Sequence, residues 1–522
     1  MVKSTVWSPK HPALHSLLTA LSAQADPVYV VGGVVRDYLL RSSETVNDLD
    51  VVVEHSALQV GREVADRLGW AFYPLDAERD VARLVFQATS PPLVCDIAAM
   101  RGGSIERDLH ARDFTINALA VEWQGRGARP VLDLVGGRAD LERRLLRRVS
   151  PSSLAEDPVR LLRAVRFAAQ LGFAIEEETQ LQMLRMLETV RLASAERVRD
   201  ELWKLLQSPD PAAAVELLAR FGLLQYVLPE VNDLQGVAQS APHVLDVYRH
   251  TLQTVAYAAQ FRRWLLRQPV TDCSPASEAW QAALAPWRFR LQEHFLQAVA
   301  AEHLRGDWLV WNALLHDIGK PATRTLEGTG NGTGNGAGNG DGPRYRFFGH
   351  EELGARLARE RLEALRFSRQ EIWLAETVIE THMRPHHLDA SFGEGPISRR
   401  ACFRYFRDSG GRGFDLLPGV DTVLLALADY QAIYAAPEPP GWQRYLAHAG
   451  QLLEFAFHAE GLTQVRQPLV DGHTLMRYFD LRPGREIGHL LERLQEAQAA
   501  GEIRTADEAL ALAATWVVEP RD

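Results

Sequence analysis

Two aspartates one residue apart, Asp48 and Asp50, stand at the head of the apolar run DLDVVV. In a β-strand residues i and i+2 point to the same face, so this run predicts two carboxylates side by side with Leu49 buried behind them. Like charges that close need a cation between them. Oxygen donors of this kind suit Mg²⁺, which takes one or two carboxylates together with substrate phosphates and water. Just upstream, Gly32-Gly33 lets backbone N–H groups come close to a triphosphate with no Cβ in the way, and Arg36 follows one helical step later, suited to a phosphate oxygen. Either feature alone is common. Together, within one strand-loop-strand unit from Val28 to Val53, they have the layout of a nucleotide-transferring site.

A second set of chemically able residues occupies the other half of the chain. His243 and His250 are placed one or two helical turns apart in HVLDVYRHTL, followed by Leu314-Leu315-His316-Asp317-Ile318-Gly319-Lys320-Pro321, Gly349-His350-Glu351, Glu380-Thr381-His382 and Leu427-Ala428-Asp429. Imidazoles and carboxylates delivered from separate helices suit one or two divalent cations, a transition metal or Mg²⁺, that activate a water for attack on a phosphoester. The first ligands expected are His250, His316, Asp317 and Asp429. His350 and His382 are candidates for a second metal or a phosphate, and His386 and His387 stand nearby in sequence.

The chain that must position these groups has 522 residues, too many for one core, so several domains are expected. Composition is that of an ordinary globular protein, 46% hydrophobic and 24% charged. No apolar run approaches the ~18 to 20 residues of a membrane helix and no leader is evident, which predicts a cytoplasmic protein. Cys95, Cys273 and Cys402 are far apart and outside any C-x-x-C, which argues against a disulfide framework or thiolate zinc site. A net charge of −10 argues against indiscriminate coating of nucleic acid but leaves room for a local basic groove. Four of the 57 basic residues are Lys and the rest Arg, the better side chain for bidentate recognition of phosphate or base edges.

Residues 28 to 150 alternate strand and helix patterns after a first helix within 1 to 27, hence an α/β domain. Ala57 to Gly69 reads as a helix, and Arg83-Leu84-Val85-Phe86 and Leu93-Val94-Cys95-Asp96-Ile97 as strands, making Asp96 a candidate third carboxylate. Asp133 to Gly137 marks a turn into a helix. From 138 to 173 eight Arg stand against four acidic residues on a pattern read as helical throughout, a plausible groove for a nucleic-acid backbone. The domains expected are 1–150, a helical neck 151–235, a third unit 236–440 containing a flexible Gly-rich loop at 328–342, and a helical tail 441–522.

Gly32-Gly33-Val34-Val35-Arg36-Asp37, Asp48-Leu49-Asp50, Arg112-Asp113-Phe114-Thr115-Ile116-Asn117-Ala118-Leu119, Asp133 to Gly137 and Glu156-Asp157-Pro158-Val159-Arg160-Leu161-Leu162-Arg163-Ala164-Val165-Arg166-Phe167 occur in that order. In order and spacing they resemble the class II tRNA nucleotidyltransferase and poly(A) polymerase family, as does Glu196-Arg197-Val198-Arg199-Asp200-Glu201-Leu202. The resemblance implies a polymerase-β-like α/β head followed by all-α neck, body and tail. It implies attack of an RNA 3′-hydroxyl on the α-phosphate of a nucleoside triphosphate, with Mg²⁺ on Asp48 and Asp50. Gly32, Gly33, Arg36, Arg112, Asp113, Asn117, Asp157, Arg160, Arg163 and Arg166 become nucleotide-binding candidates, and Asp96 joins the catalytic carboxylates. The partners implied are tRNA, CTP and ATP, with no DNA and no membrane. The His and Asp series resembles an HD-family phosphohydrolase domain.

By the same resemblance Asp157 and Arg160 read the base, and the chemistry agrees. Cytosine and adenine both present an exocyclic NH₂ beside a ring-nitrogen acceptor, whereas uracil and guanine present a carbonyl beside an N–H. A carboxylate beside a guanidinium matches the first pair and mismatches the second. The same residues would also suit a helix start, with Asp157 as N-cap before Pro158 and Ser153-x-x-Glu156 as a capping box. Members that add the whole CCA triplet usually carry a longer loop than the segment RGGSIERDLHA at 101–111, which resembles members adding only CC. A poly(A) polymerase, or an HD phosphodiesterase using the head as an RNA-binding module, are the alternatives.

Overall fold

The computed structural model describes residues 7–40, 47–89, 91–125, 127–300, 303–327, 344–410, 418–458 and 468–517. The Gly-rich loop expected at 328–342 lies outside them. Two compact units emerge, Met1–Arg197 with Phe221–Leu223, and Val198–Arg220 with Leu224–Asp522. The division falls inside the expected neck, and the boundaries expected near 150 and 440 lie within the two units.

The first unit is built on one sheet in the order β3-β4-β5-β2-β1-β6-β7, with β8 also pairing β6. Its strands are β1 (Val28–Val31), β2 (Asp48–Val53), β3 (Ala71–Asp76), β4 (Val81–Phe86), β5 (Leu93–Ala99), β6 (Leu119–Gln124), β7 (Gly127–Ala128) and β8 (Leu132–Asp133). β2 and β5 run parallel, and β1 pairs antiparallel with β2 and β6. The β-branched run of β2 explains its place beside the centre of the sheet: Val51, Val52 and Val53 are buried, whereas Asp48 and Asp50 stay accessible on one face.

Helices α1 (Pro12–Ser22), α2 (Gly33–Leu40), α3 (Ala57–Leu68), α4 (Ile105–His110) and α5 (Gly137–Arg143) accompany the sheet. Carboxylates start two of them. Asp80 accepts the N–H groups of Ala57 and Leu58 at 2.8 Å each, and Asp133 accepts those of Gly136, Gly137 and Arg138 at 2.9 Å each. The region read as helical from 138 to 173 is instead broken. α5 stops at Arg144 in the left-handed conformation, Leu145–Leu146 form a short strand paired with Ala174–Ile175, and α6 (Ser153–Glu156) and α7 (Arg160–Leu171) follow. An apolar stripe of period 3.6 does not register such a break when the interruption is itself apolar. α8 (Glu177–Arg185) and the start of α9 (Ala195–Leu206) complete the unit.

The second unit is helical. Its buried centre is formed by helices Val247–Leu265, Arg305–Leu315, Arg369–Thr381 and Pro418–Tyr434; the last is buried almost all round, from Pro418 to Ala432. Toward the C-terminus Leu475, Ile487, Leu490, Leu494, Ala509 and Ala513 form a separate apolar cluster. No helix among the described residues is long and apolar enough to cross a membrane.

Candidate functional site

In the first unit, Asp50 lies opposite Asp96 in the parallel β2/β5 register, so Asp48, Asp50 and Asp96 share one sheet face. The three are not equivalent. Both oxygens of Asp96 accept from Arg83, at 2.8 Å each, so that charge is neutralised within the sheet. The crowding of protein atoms about the Asp50 carboxyl, and then the Asp48 charge, push it up to about 6 although the residue remains accessible. An acidic pair strained in this way favours a cation beside it.

Of the glycine pair, Gly32, which follows β1, has a conformational reason. Its φ is +76°, and a Cβ there would lie 3.3 Å from Asp50 Oδ2 and 3.4 Å from Arg112 Nη1. Any side chain would therefore be strained and would crowd the carboxylate and the guanidinium together. Arg112 is held by Asp108 Oδ2 through Nε and Nη2, at 3.0 and 2.9 Å. Beside it a chain of polar contacts runs from α2 to α7. Arg36 donates to Asn117 Oδ1 (2.8 Å), Asn117 donates to Asp113 Oδ1 (3.2 Å), and Arg163 donates to Asp113 Oδ2 (2.8 Å). Burial would raise the Asp113 pKa, but Arg163 and the N–H of Phe114 hold it below the usual carboxylate range.

The ring of Phe167 is the organiser that sequence reading did not single out. The guanidinium carbons of Arg166, Arg36 and Arg163 lie 4.0, 5.2 and 5.5 Å from its centroid, and Phe114 meets it edge-on at 6.0 Å. Three cations thus gather on one aromatic surface. The expected Asp157 and Arg160 pair is arranged differently from a direct couple. Asp157 accepts two hydrogen bonds from Arg197, and Arg160 donates to the carbonyls of Ala111 and Ser153 at 2.8 Å each. Asp157 is extended and its Oδ1 accepts the Val159 N–H at 3.3 Å, as an N-cap before Pro158 does, although α7 proper begins at Arg160; Ser153 accepts from the Ser150 N–H rather than forming the capping box. Further along, Arg147 pairs with Asp140 and Glu176, and Arg148 with Glu178, so these two basic residues of the Arg-rich stretch are engaged by acidic partners.

The second unit brings its histidines and aspartates together as expected. His250, His316 and Asp317 form one group able to hold a metal, and Asp317, His350 and His382 another, each with ligand atoms within 4.8 Å of one another and all buried. Asp317 belongs to both. Its Oδ2 lies 3.2 Å from His316 Nε2 and 3.6 Å from His250 Nε2, and its Oδ1 3.5 Å from His350 Nε2. Asp429 Oδ1 is 2.8 Å from His250 Nε2.

The imidazoles are preset. His316, His350 and His382 each place Nδ1 on a backbone carbonyl three residues earlier, at 2.9, 2.8 and 2.6 Å, which fixes the proton there and presents Nε2 inward. His316 Nε2 and Asp317 Oδ1 are buried with no hydrogen-bond partner among the described residues. Orphaned donors of this chemistry fit a divalent cation. Against burial, His316 and Lys320 hold Asp317 well below the usual carboxylate range, and Lys320 Nζ lies 2.7 Å from Oδ2.

His386 proves to be a supporting residue: Nε2 bonds Asp429 Oδ2 at 2.9 Å and Nδ1 meets the Tyr445 hydroxyl at 3.0 Å. His243 lies in a turn before helix Val247–Leu265 rather than on it, with its ring 5.2 Å from that of His250, and outside both metal-holding groups. A cavity of about 530 Å³ opens onto the centre between Lys320, Phe347, Phe348, Met383 and Ile433.

Comparison with known proteins matches three regions of the chain. Residues 28–147 match the poly A polymerase head domain, 172–234 the probable RNA and SrmB-binding site of polymerase A, and 247–409 the HD domain. The chain is 31% identical over 496 residues to the A-adding tRNA nucleotidyltransferase of Deinococcus radiodurans, covering 94% of this chain and 95% of that one. It is 34% identical to the CC-adding tRNA nucleotidyltransferase of Thermus thermophilus, covering 94% and 93%. A solved CCA-adding enzyme in complex with CTP shares the fold with a TM-score of 0.57 at 20% identity, over 98% of this chain and 97% of that one. With both relatives matched over nearly their whole length, the chain belongs to the tRNA nucleotidyltransferase family and carries an HD domain.

Proposed function

We propose that this protein adds C and/or A to the 3′ end of tRNA, without a template, from CTP and ATP, releasing pyrophosphate. The observation that carries the reading is the Asp48 and Asp50 pair on one face of β2, beside a glycine at positive φ where a side chain would be strained, in a chain whose two relatives bear nucleotidyltransferase names. Asp48 and Asp50 would hold Mg²⁺, which when bound stabilises charge on the attacking and leaving oxygens. Arg36, Arg112, Arg163 and Arg166 place positive charge around the triphosphate, with Asp113 and Asn117 fixing Arg163 and Arg36 and facing the sugar. Asp96, neutralised by Arg83, supports the metal-binding carboxylates from the next strand. Asp157 and Arg160 select the base. In the HD domain His250, His316, Asp317 and Asp429, with His350 and His382, would hold divalent cations, transition metal or Mg²⁺, and Lys320 lies beside them for a phosphoester.

Residues 101–111 favour CC addition over full CCA addition, since they form only a short turn and the six-residue α4, whose Asp108 anchors Arg112. Extension of a tRNA transcript lacking its 3′ CCA, with each nucleoside triphosphate in turn, tests the reading. One to three added residues from CTP and ATP alone are expected. A long A tail would replace it by poly(A) synthesis, and prompt A addition to a tRNA ending in CC would remove the CC-only refinement.

A further inference from the structure

Arg197 stands on the first turn of α9, forty residues after the carboxylate it grips. Its Nη1 donates to Asp157 Oδ1 at 3.0 Å and its Nη2 to Oδ2 at 2.5 Å, while the Val159 N–H reaches Oδ1 at 3.3 Å. A carboxylate offers about four acceptor positions. Three are used here, two of them on Oδ1, so one position remains, on Oδ2. Arg160 contributes to this corner as a scaffold in the present arrangement, its guanidinium donating to the Ala111 and Ser153 carbonyls.

We propose that Arg197 is a positioning residue for base selection: it fixes Asp157 as an ionised acceptor with one open position on Oδ2, which takes the exocyclic amine common to cytosine and adenine. The inference rests on Asp157 as the base reader. A bidentate fork sets both the angle and the charge of the carboxylate, which a single N–H could not do. Uracil and guanine would present a carbonyl oxygen to that open position, two acceptors facing with no proton between them. A carboxyl free to bind a proton would donate to that carbonyl and accept the wrong base, and one free to turn would lose the single fixed acceptor position. Against its partial burial, Asp157 is held below the usual carboxylate range chiefly by Arg197. The Arg197 side chain is itself half-exposed, so its removal leaves no void in the core.

Transfer kinetics on a tRNA primer test this, with CTP, ATP, UTP and GTP each supplied to the wild type, Arg197→Ala, Arg197→Lys and Asp157→Ala. Arg197→Ala is expected to lower the preference for CTP and ATP over UTP and GTP in kcat/KM by roughly tenfold or more, the scale of one lost bidentate recognition contact. The loss should lie mainly in KM for the correct nucleotides, with the thermal midpoint unchanged and Arg197→Lys intermediate. A uniform loss for all four nucleotides with the preference intact would show a merely structural role and overturn the inference. So would an intact preference in Arg197→Ala when Asp157→Ala abolishes it. An intact preference in Asp157→Ala would instead overturn the base-reading assignment beneath it. Should Arg197→Ala fail to fold, Arg197→Lys decides alone, and an unchanged preference there counts against the proposal.

Discussion

The two candidate metal centres of this chain are built on opposite principles. In the first unit the acidic pair is accessible on a sheet face, and the arginines around it are anchored to other protein groups, Arg112 to Asp108, Arg163 to Asp113 and Arg36 to Asn117. Two carboxylates alone are a sparse set for Mg²⁺, so the substrate's phosphates must complete it. The HD centre is enclosed by protein except where the cavity opens onto it. Its imidazoles and carboxylates are buried, shared through Asp317 and backed by carbonyls that fix each ring. On that contrast, metal in the head is expected to depend on bound nucleotide, whereas the HD centre is expected to hold metal without it.

That contrast is broken most severely at the HD centre. His316→Ala with Asp317→Ala should remove bound metal from dialysed protein, read by elemental analysis, and reduce phosphoester hydrolysis to background while transfer continues. Retained metal would contradict the ligand assignment. A milder break lies behind the ligands. His386→Ala frees Asp429 Oδ2 and should weaken metal affinity by about 10- to 100-fold, the usual cost of losing a group that orients a ligand, measured by competition with a chelator.

In the head the matching break is Arg163→Ala, which leaves Asp113 buried without its cation. Unfolding of the first unit should become easier by about 1–3 kcal/mol, with KM for nucleotide raised; an unchanged urea midpoint would show that the pair does not hold α7 to the Asp113 segment. The smallest effect concerns acid. Asp421 is fully buried, and against that burial Arg305 and His294 hold its pKa below the ordinary value. A depressed carboxylate contributes stability that is complete above about pH 4 and lost as pH falls toward the folded-state value. The thermal midpoint of the HD unit should therefore drop on the acid side, and Asp421→Asn should flatten that limb while lowering the midpoint at neutral pH.

What could be read in advance followed from local geometry. The i, i+2 spacing of Asp48 and Asp50 needs only a strand, so their shared face was legible, whereas the positive φ of Gly32 beside Asp50 and Arg112 emerged from the structure. The convergence of the histidines and Asp317 in the second unit was legible because they stand in short, recognisable motifs. What was not legible joins residues remote in sequence: Arg83 on Asp96, His386 behind Asp429, Arg197 on Asp157, and Arg36 over Phe167. Such pairings are set by tertiary packing, which leaves no periodic trace in either partner. The break between α5 and α7 was missed for a related reason, because Leu145 and Leu146 continue an apolar pattern while forming a strand. Phe167 stood in view within its motif, and its signal was the spacing of Arg163 and Arg166 about it.

We propose that nucleotide transfer is performed by the carboxylate pair of β2, independently of the HD centre. It is tested most directly by single-turnover extension of a tRNA primer with CTP by the Asp48→Ala, Asp50→Ala double variant, its phosphoester hydrolysis measured in parallel. Loss of extension with hydrolysis retained is the result predicted. Extension that survives the double substitution would contradict the claim.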